Sequence, residues 1–444
     1  MKQIVLKKGH NIRITGVPSS DSLTLVTSKK IGVSPNSFRN VKPKLMVSEG
    51  DTVKIGTPLF YDKTKPKVKW ASPASGKVSK ISYGSRRVIE RIEIEVNGEE
   101  KIINDLKTVQ NLETASRSNI LKFLLDANLF HLIRERPFNR VPNPDKEPRD
   151  IFISGLNTGP IAVDLTKMII ENKVTFQKAL TVISKLTTGK TYFTSSQNHN
   201  FKNIENQIIS GPHPAGNVGI QIHHTKPLKP NDTIWTIDAQ HLLTIGRLFE
   251  TGSYNPSMVV SVGGSGALAP FTAEVNTGVQ IKNLIDNQNL NKQKIRLVSG
   301  DVLTGKSTSE NDFLGFYDST LSIINDTVER PFLGMLSIGN SSTKYSLARV
   351  FLRLTDKLFN FTTAQNGELR PMVPISAWEK VLPMDIFPNE LYRAILAEDI
   401  EEMEKLGIWE CDDEDFALCS FSCPSKIDVG KVIRDGLNLI EAEA

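Results

Sequence analysis

Over residues 1–110 apolar and polar side chains alternate in short runs, broken by glycines at Gly50, Gly56, Gly76 and Gly84. Ile92, Ile94 and Val96 alternate with charged residues at the two-residue period of a half-buried strand. This predicts a small β domain of tight turns. A helix follows, with Ile120, Phe123, Leu124, Leu132 and Ile133 on its apolar face, and then a connector in which Pro137, Pro142, Pro144 and Pro148 forbid helix. From Asp150 the signal alternates. Strands are expected over 151–154, 190–194, 220–224 and 233–237, and helices over 160–172, 174–186, 203–208 and 239–249. Strands alternating with helices predict a Rossmann-like α/β layer. Residues 256–330 change to a strand–helix–strand module of the β-grasp kind, and hairpin-like strands are expected over 334–339 and 345–352. Beyond Pro388, Leu391, Ile395, Leu396, Met403 and Leu406 fall at helical spacing, with Gly407 placed as a cap.

The N-terminal pattern can be made more specific. The run from Val47 to Phe60, followed by Trp70-Ala-Ser-Pro-Ala-Ser-Gly76, resembles a biotinyl/lipoyl-type barrel-sandwich, in which glycines turn hairpins and apolar positions fill a flattened barrel. A carrier domain of that kind bears a cofactor on a hairpin lysine. Here the hairpin over residues 62–67 is short and interrupted by Pro66, which favours a scaffold with nothing attached. The fold class is therefore multidomain α/β and α+β. The expected divisions are the barrel-sandwich at 1–110 with its helix and linker to 149, the Rossmann-like domain at 150–255 and an SLBB-like β-grasp domain at 256–330. A strand and loop connector at 331–387 and a helical domain at 388–444 follow.

Composition narrows the function classes. The 444 residues are 23% charged and 39% hydrophobic, enough to bury several cores. The net charge of +5 is spread out, with no basic arm for nucleic acid, and the lysines at 63, 65, 67 and 69 read as a solvated strand face. No run approaches the roughly 18–20 apolar residues of a membrane span. Met1-Lys-Gln-Ile-Val-Leu-Lys-Lys is too charged for a secretory leader, and three cysteines make no disulfide framework. A reducing cytosol is expected, with membrane association only through a partner.

Cys419-Ser-Phe-Ser-Cys423-Pro424 fits the end of a C-x2-C-x2-C-x3-C-P iron–sulfur run, but the first two ligand positions fall on Asp413 and Phe416, and Cys411 is out of register. Phenylalanine cannot ligate iron, so no cluster is expected. Gly263-Gly-Ser-Gly266 lacks the third glycine of a dinucleotide loop, and Gly300 to Ser307 matches a P-loop without a clear helix after it; both read as β-grasp turns. His199, His213, His223 and His224 are close in sequence, but His223 and His224 on one strand would point to opposite faces, which argues against a metal site. A stand-alone soluble dinucleotide-dependent oxidoreductase using the Gly263 turn is the alternative functional reading.

Three segments carry a family resemblance: Ser210-Gly-Pro-His-Pro-Ala-Gly-Asn-Val-Gly219, the run from Trp235 to Gly252, and Asp412 to Lys426. Together they resemble the A subunits of the bacterial sodium-translocating NADH:quinone reductases. That family is distantly similar to the C subunit of the Rnf complex and to the flavin- and NADH-binding subunit of complex I. Those relatives carry a glycine-rich flavin loop, an acidic turn and cluster cysteines. Here residues 131–140 hold no glycine, the acidic positions are Asn157 and Gly159, and the cysteines are incomplete. The resemblance therefore implies a peripheral subunit on the cytoplasmic face of the bacterial inner membrane, in contact with the other five subunits and chiefly with a membrane subunit. It binds no flavin, iron–sulfur cluster or metal, while the whole complex, a translocase, uses NADH and ubiquinone and exports sodium. No catalytic residue is expected in this chain. The loop holding Gly211, His213, Gly216 and Gly219 is the candidate quinone-access or partner-docking element, because glycine and proline fix its path and His213 is its only ionisable side chain.

Overall fold

The computed structural model describes residues 2–19, 22–106, 112, 114–285, 290, 294–327, 333, 336, 345–347 and 358–443. Its centre is a six-stranded sheet in the order Lys2–Val5, Glu205–Ser210, Thr191–Ser195, Ile151–Ser154, Ile234–Asp238, Arg134–Arg136. All neighbours are parallel except the last, which runs antiparallel to Ile234–Asp238. Alternating side chains cover both faces. Phe152, Tyr192 and Ile234 pack with Val218 and Ile222 on one side. Ile151, Ile153, Phe193, Trp235 and Ile237 belong to the main core with Phe176, Leu180, Leu242 and Ile245 of the helices Lys173–Ser184 and Ala239–Thr251. A parallel sheet buried on both faces is the doubly wound solution. Chain order reverses between Ile151–Ser154 and Ile234–Asp238, so the carboxyl ends of these two strands frame a topological switch point.

The N-terminal domain is a four-stranded and a three-stranded antiparallel sheet face to face, closed on Phe60, Val68, Trp70, Val78 and Ile92, all at most 1% exposed. A second six-stranded, mixed sheet with the short helix Ile281–Ile285 forms the β-grasp unit. Gly263 ends a strand there and its turn leads to the antiparallel strand Phe271–Asn276, while residues 300–305 join Ile295–Ser299 to Lys306–Thr308 as a hairpin. Neither glycine run opens a helix. Four C-terminal helices, Pro388–Leu396, Ile400–Lys405, Asp413–Ser422 and Val429–Glu443, share a core with Trp378, Phe416 and the three cysteines, and Gly407 in the left-handed region ends the second of them.

Several expectations need correction. The first 25 residues do not stay in the barrel-sandwich: Lys2–Val5 extends the central sheet and Leu23–Leu25 the β-grasp sheet. Residues 203–208 are not helical, because Glu205–Ser210 is a strand clamped between two parallel neighbours. Residues 220–224 are not a strand but lie in the helix Val218–Thr225, so His223 and His224 are consecutive helical residues. The first helix of the α/β domain begins only at Thr166, since residues 160–165 turn through Ile161 at φ 65. The hairpin-like strands expected over 334–339 and 345–352 fall mainly outside the described residues.

Candidate functional site

A crevice opens at the switch point. Its floor is Ser154, at the end of one central strand, and Asp238, at the end of the other. Asp238 is there because it caps the helix Ala239–Thr251: its Oδ1 accepts from the His241 backbone N–H at 2.9 Å, and Oδ2 pairs with the His241 ring. Capping carboxylates suit a helix N-terminus because they satisfy free N–H groups and face the positive end of its dipole. Burial alone would raise the Asp238 pKa, but His241 and Arg134 hold it down at about 2. The His241 ring stacks on Phe316 with centroids 5.4 Å apart and meets Tyr317 edge-on. The Arg134 guanidinium lies 4.7 Å from the centre of the Tyr317 ring. Burial pushes the Tyr317 phenol up, and its hydroxyl donates to the His131 carbonyl at 3.1 Å. His131 itself is enclosed by Phe38, Trp70 and Phe316, and burial, helped by nearby His241, lowers its pKa to about 3.

The glycine-free segment over residues 131–140 closes one side of the crevice. Arg134–Arg136 pairs with Ile234–Asp238, and Phe138 and Asn139 turn the chain through positive φ so that Arg140 returns opposite Glu135. Arg136, 2% exposed, reaches Asp412 at 2.5 Å and also pairs with Glu414. Asp412, 1% exposed by side chain, additionally holds Arg39 at 3.2 Å, Arg434, and the Asn139 amide at 2.6 Å. The loop is thus stapled to the start of the helix Asp413–Ser422. Where a flavin phosphate would need bare backbone N–H groups, this segment offers bulky side chains, and its crevice-lining Arg134 lies over the Tyr317 ring.

The loop from Gly211 to Gly219 forms the opposite wall. A side chain on Gly211 would come within 2.7 Å of the Leu6 carbonyl, one on Gly216 within 2.5 Å of the Thr158 nitrogen, and one on Gly219 within 2.0 Å of an Asp415 carboxylate oxygen. These glycines make room for protein. His213 is 4% exposed, its backbone N–H donates to Asn11 Oδ1 at 2.8 Å and its Nδ1 lies 3.2 Å from the Thr158 hydroxyl, while Nε2 has no protein partner. Burial lowers its pKa against the pull of Asp301 and Glu414. His213, Gly216 and Asn217 line the crevice, whereas Gly211 and Gly219 only shape the wall.

The remaining histidines go to separate tasks. His223 bonds Glu410 at 2.8 Å and receives the Asp385 N–H at 3.0 Å, His224 bonds the Pro383 carbonyl at 2.7 Å, and His199 packs on Phe193 and Phe201. Among the described residues no three His, Cys, Asp or Glu side chains converge as metal ligands. Phe416, 0% exposed, lies in the core at a ligand position of the iron–sulfur run, and Cys411, Cys419 and Cys423 are free and buried. The Lys65 amine, at the hairpin where a carrier would be modified, donates to the Val141 carbonyl at 2.6 Å.

Sequence reasoning missed two groupings: the Asp238–His241–Arg134–Tyr317 set and the Asp412 staple. Asp238-Ala-Gln-His241 after an apolar run, and Asp412-Asp-Glu-Asp415 before another, are both helix-start signatures that could have flagged the carboxylates.

Three families cover most of the chain: "NqrA N-terminal barrel-sandwich hybrid domain" matches residues 4–97, "NqrA second alpha/beta domain" residues 115–254, and "NQRA C-terminal domain" residues 259–310. The A subunits of the Na(+)-translocating NADH-quinone reductases of Hahella chejuensis and Saccharophagus degradans are each 36% identical over 99% of this chain and 100% of their own length. That of Vibrio anguillarum is also 36% identical, with the same coverage. A chain of an NAD+-reducing [NiFe]-hydrogenase overlays 50% of this chain and 48% of its own at TM-score 0.36 and 9% identity, a likeness too slight to bear on function.

Proposed function

Since the chain belongs to the family of A subunits of the Na+-translocating NADH-quinone reductase, a translocase, we propose that it works as a peripheral subunit on the cytoplasmic face of the bacterial inner membrane, with no redox centre of its own. End-to-end identity of 36% with proteins bearing that name carries the assignment to the complex. No helix among the described residues is long and apolar enough to cross a membrane, so attachment runs through a membrane subunit and the rest of the five partner subunits. The NADH and ubiquinone used by the assembly are handled largely elsewhere.

Two observations support the absence of a cofactor. Arg136, the buried arginine of the segment that closes the crevice, is spent on Asp412 and Glu414. Phe416 fills the core where a cluster thiolate would stand. The remaining function of the crevice is access. Its His213 wall is the quinone-access or docking element, because the imidazole Nε2 is the one ring atom there without a protein partner. The test is purification of the complex from native membranes with His213→Ala in place. Normal assembly with slowed quinone reduction supports the reading; wild-type quinone reduction with only a lowered melting temperature makes the loop a structural turn.

A further inference from the structure

The outer face of the three-stranded sheet in the N-terminal domain has no assigned role. Its strands are Pro43–Leu45, Pro58–Asp62 and Lys65–Ala71. Their inner face is apolar: Leu59, Phe60, Val68 and Trp70 are at most 1% exposed, and Phe60 stacks on Trp70. Across the outer face Lys44 stands opposite Tyr61, and Tyr61 opposite Lys69. Met46, 44% exposed, and Lys63 and Pro66 complete a shallow depression around Tyr61.

The charges here are gathered on one sheet face without carboxylate partners among the described residues. Neighbouring Lys67 is paired with Asp145 and Lys65 is fixed on Val141 by the linker that crosses that end. Among the described residues, Lys44, Lys63 and Lys69 have no carboxylate within 4.0 Å, and Lys44 instead lies 5.7 Å over the Tyr61 ring. Like charges gathered on one sheet face repel one another. What relieves such repulsion is a surface rich in negative charge.

We infer that this face rests on the phosphate headgroups of an anionic lipid surface, with Tyr61 and Met46 seated at the headgroup boundary. The pairing of flexible ammonium groups with an amphipathic ring and an exposed thioether is what an interfacial contact requires: lysines reach phosphates while apolar groups enter the boundary region. A lipid surface fits better than an acidic peptide, because the patch is a sheet face with a shallow depression and offers no groove to orient a chain. It also brings a protein without a spanning helix among its described residues onto the membrane that holds its partners. The inference rests on the peripheral placement proposed above and adds a second, lipid-borne attachment to it.

The test is sedimentation of the purified full chain with vesicles of phosphatidylcholine alone or of phosphatidylcholine with phosphatidylglycerol. Binding only to the anionic vesicles, weakened by salt, is expected. Each near-surface lysine contributes about fivefold, so Lys44→Gln, Lys63→Gln and Lys69→Gln combined should weaken binding roughly 100-fold. These are surface changes, and an unchanged thermal melt verifies folding. No binding to anionic vesicles, equal binding to both vesicle types, or undiminished binding by the triple variant each overturns the inference. If the triple variant instead blocks assembly with partner subunits while the wild type ignores vesicles, the face belongs to an acidic protein. Vesicle binding is read on the chain alone, so its failure is distinct from failure to join the complex.

Discussion

Replacing Asp412 by asparagine keeps the side chain's shape and removes its charge. Four groups lose their anion at once: Arg136 at 2.5 Å, Arg39 at 3.2 Å, Arg434, and the Asn139 amide at 2.6 Å. They do not suffer equally. Arg39 is 34% exposed by side chain and retains Asp413, and Arg434 also retains Asp413. Arg136 is 2% exposed and keeps only Glu414, itself 30% exposed by side chain. Breaking a buried pair by removing one partner costs about 3–5 kcal/mol, whereas exposed pairs are worth about 0–1 kcal/mol. Asp412→Asn should therefore destabilise the C-terminal helical domain by about 3 kcal/mol, nearly all of it through Arg136. Urea unfolding, followed by the fluorescence of Trp378 and Trp409 in that domain's core, is the assay. Arg136→Met should cost a similar amount, and the two together only slightly more than either, giving a coupling energy of about 2 kcal/mol. A single variant within about 0.5 kcal/mol of wild type, or simple additivity, refutes the staple.

Asp415 is 1% exposed, and burial lifts its pKa to about 7 despite Arg136. A carboxyl whose folded pKa lies above its unfolded value binds more protons when folded, so its contribution falls as pH rises from about 4 to 7. Asp415→Asn should thus be more stable than wild type at about pH 8 and flatten that slope in paired melts at about pH 5 and 8. Asp238 behaves in the opposite sense: held at about 2 by His241 and Arg134, its stabilisation is present above about pH 4 and lost toward about pH 2. His241→Ala should move the Asp238 titration, followed by NMR, up toward the usual carboxylate range. Phe416→Asp places an unpaired charge in a site with no exposure and should destabilise by about 3 kcal/mol in the same urea assay, whereas a solvent-facing Phe416 would show no loss. Cys411 and Cys419, whose thiols burial pushes up, should resist alkylation until the domain unfolds; rapid labelling of the native chain would contradict their placement.

The layer structure was legible where one strong period ran long enough, as in the helix Ala239–Thr251 and the alternation around Ile92. It failed where two environments met in a short element. Residues 220–224 alternate like a strand, yet Ile220 enters the C-terminal core while Val218 and Ile222 enter the sheet core. A helix wedged between two apolar layers is buried on both sides, and its pattern mimics a period of two. Residues 203–208 place Ile204 and Ile208 at helical spacing, but a strand forms because both of its edges are paired, one of them with Lys2–Val5. Pairing across that separation leaves no local trace. The candidate site was half legible for the same reason. The His213 loop announces itself by glycine and proline, and Asp238 by its cap position. Arg134 and Tyr317 reach the crevice from distant parts of the chain, Asp412 braces one of its sides from another, and only the fold brings them together.

We propose above that this chain is a cofactor-free peripheral subunit held at the membrane by its partners. An affinity tag on the chain, expressed in its native cell, tests it directly: detergent-solubilised membranes are purified through the tag, the subunits identified, and flavin, iron and sulfide measured on this chain after separation. The other five subunits should come through in equal amounts, and the separated chain should be colourless, with no flavin and no iron. Recovery of the tagged chain alone from the soluble fraction, or with stoichiometric flavin or iron bound to it, would rule out a cofactor-free subunit of the complex.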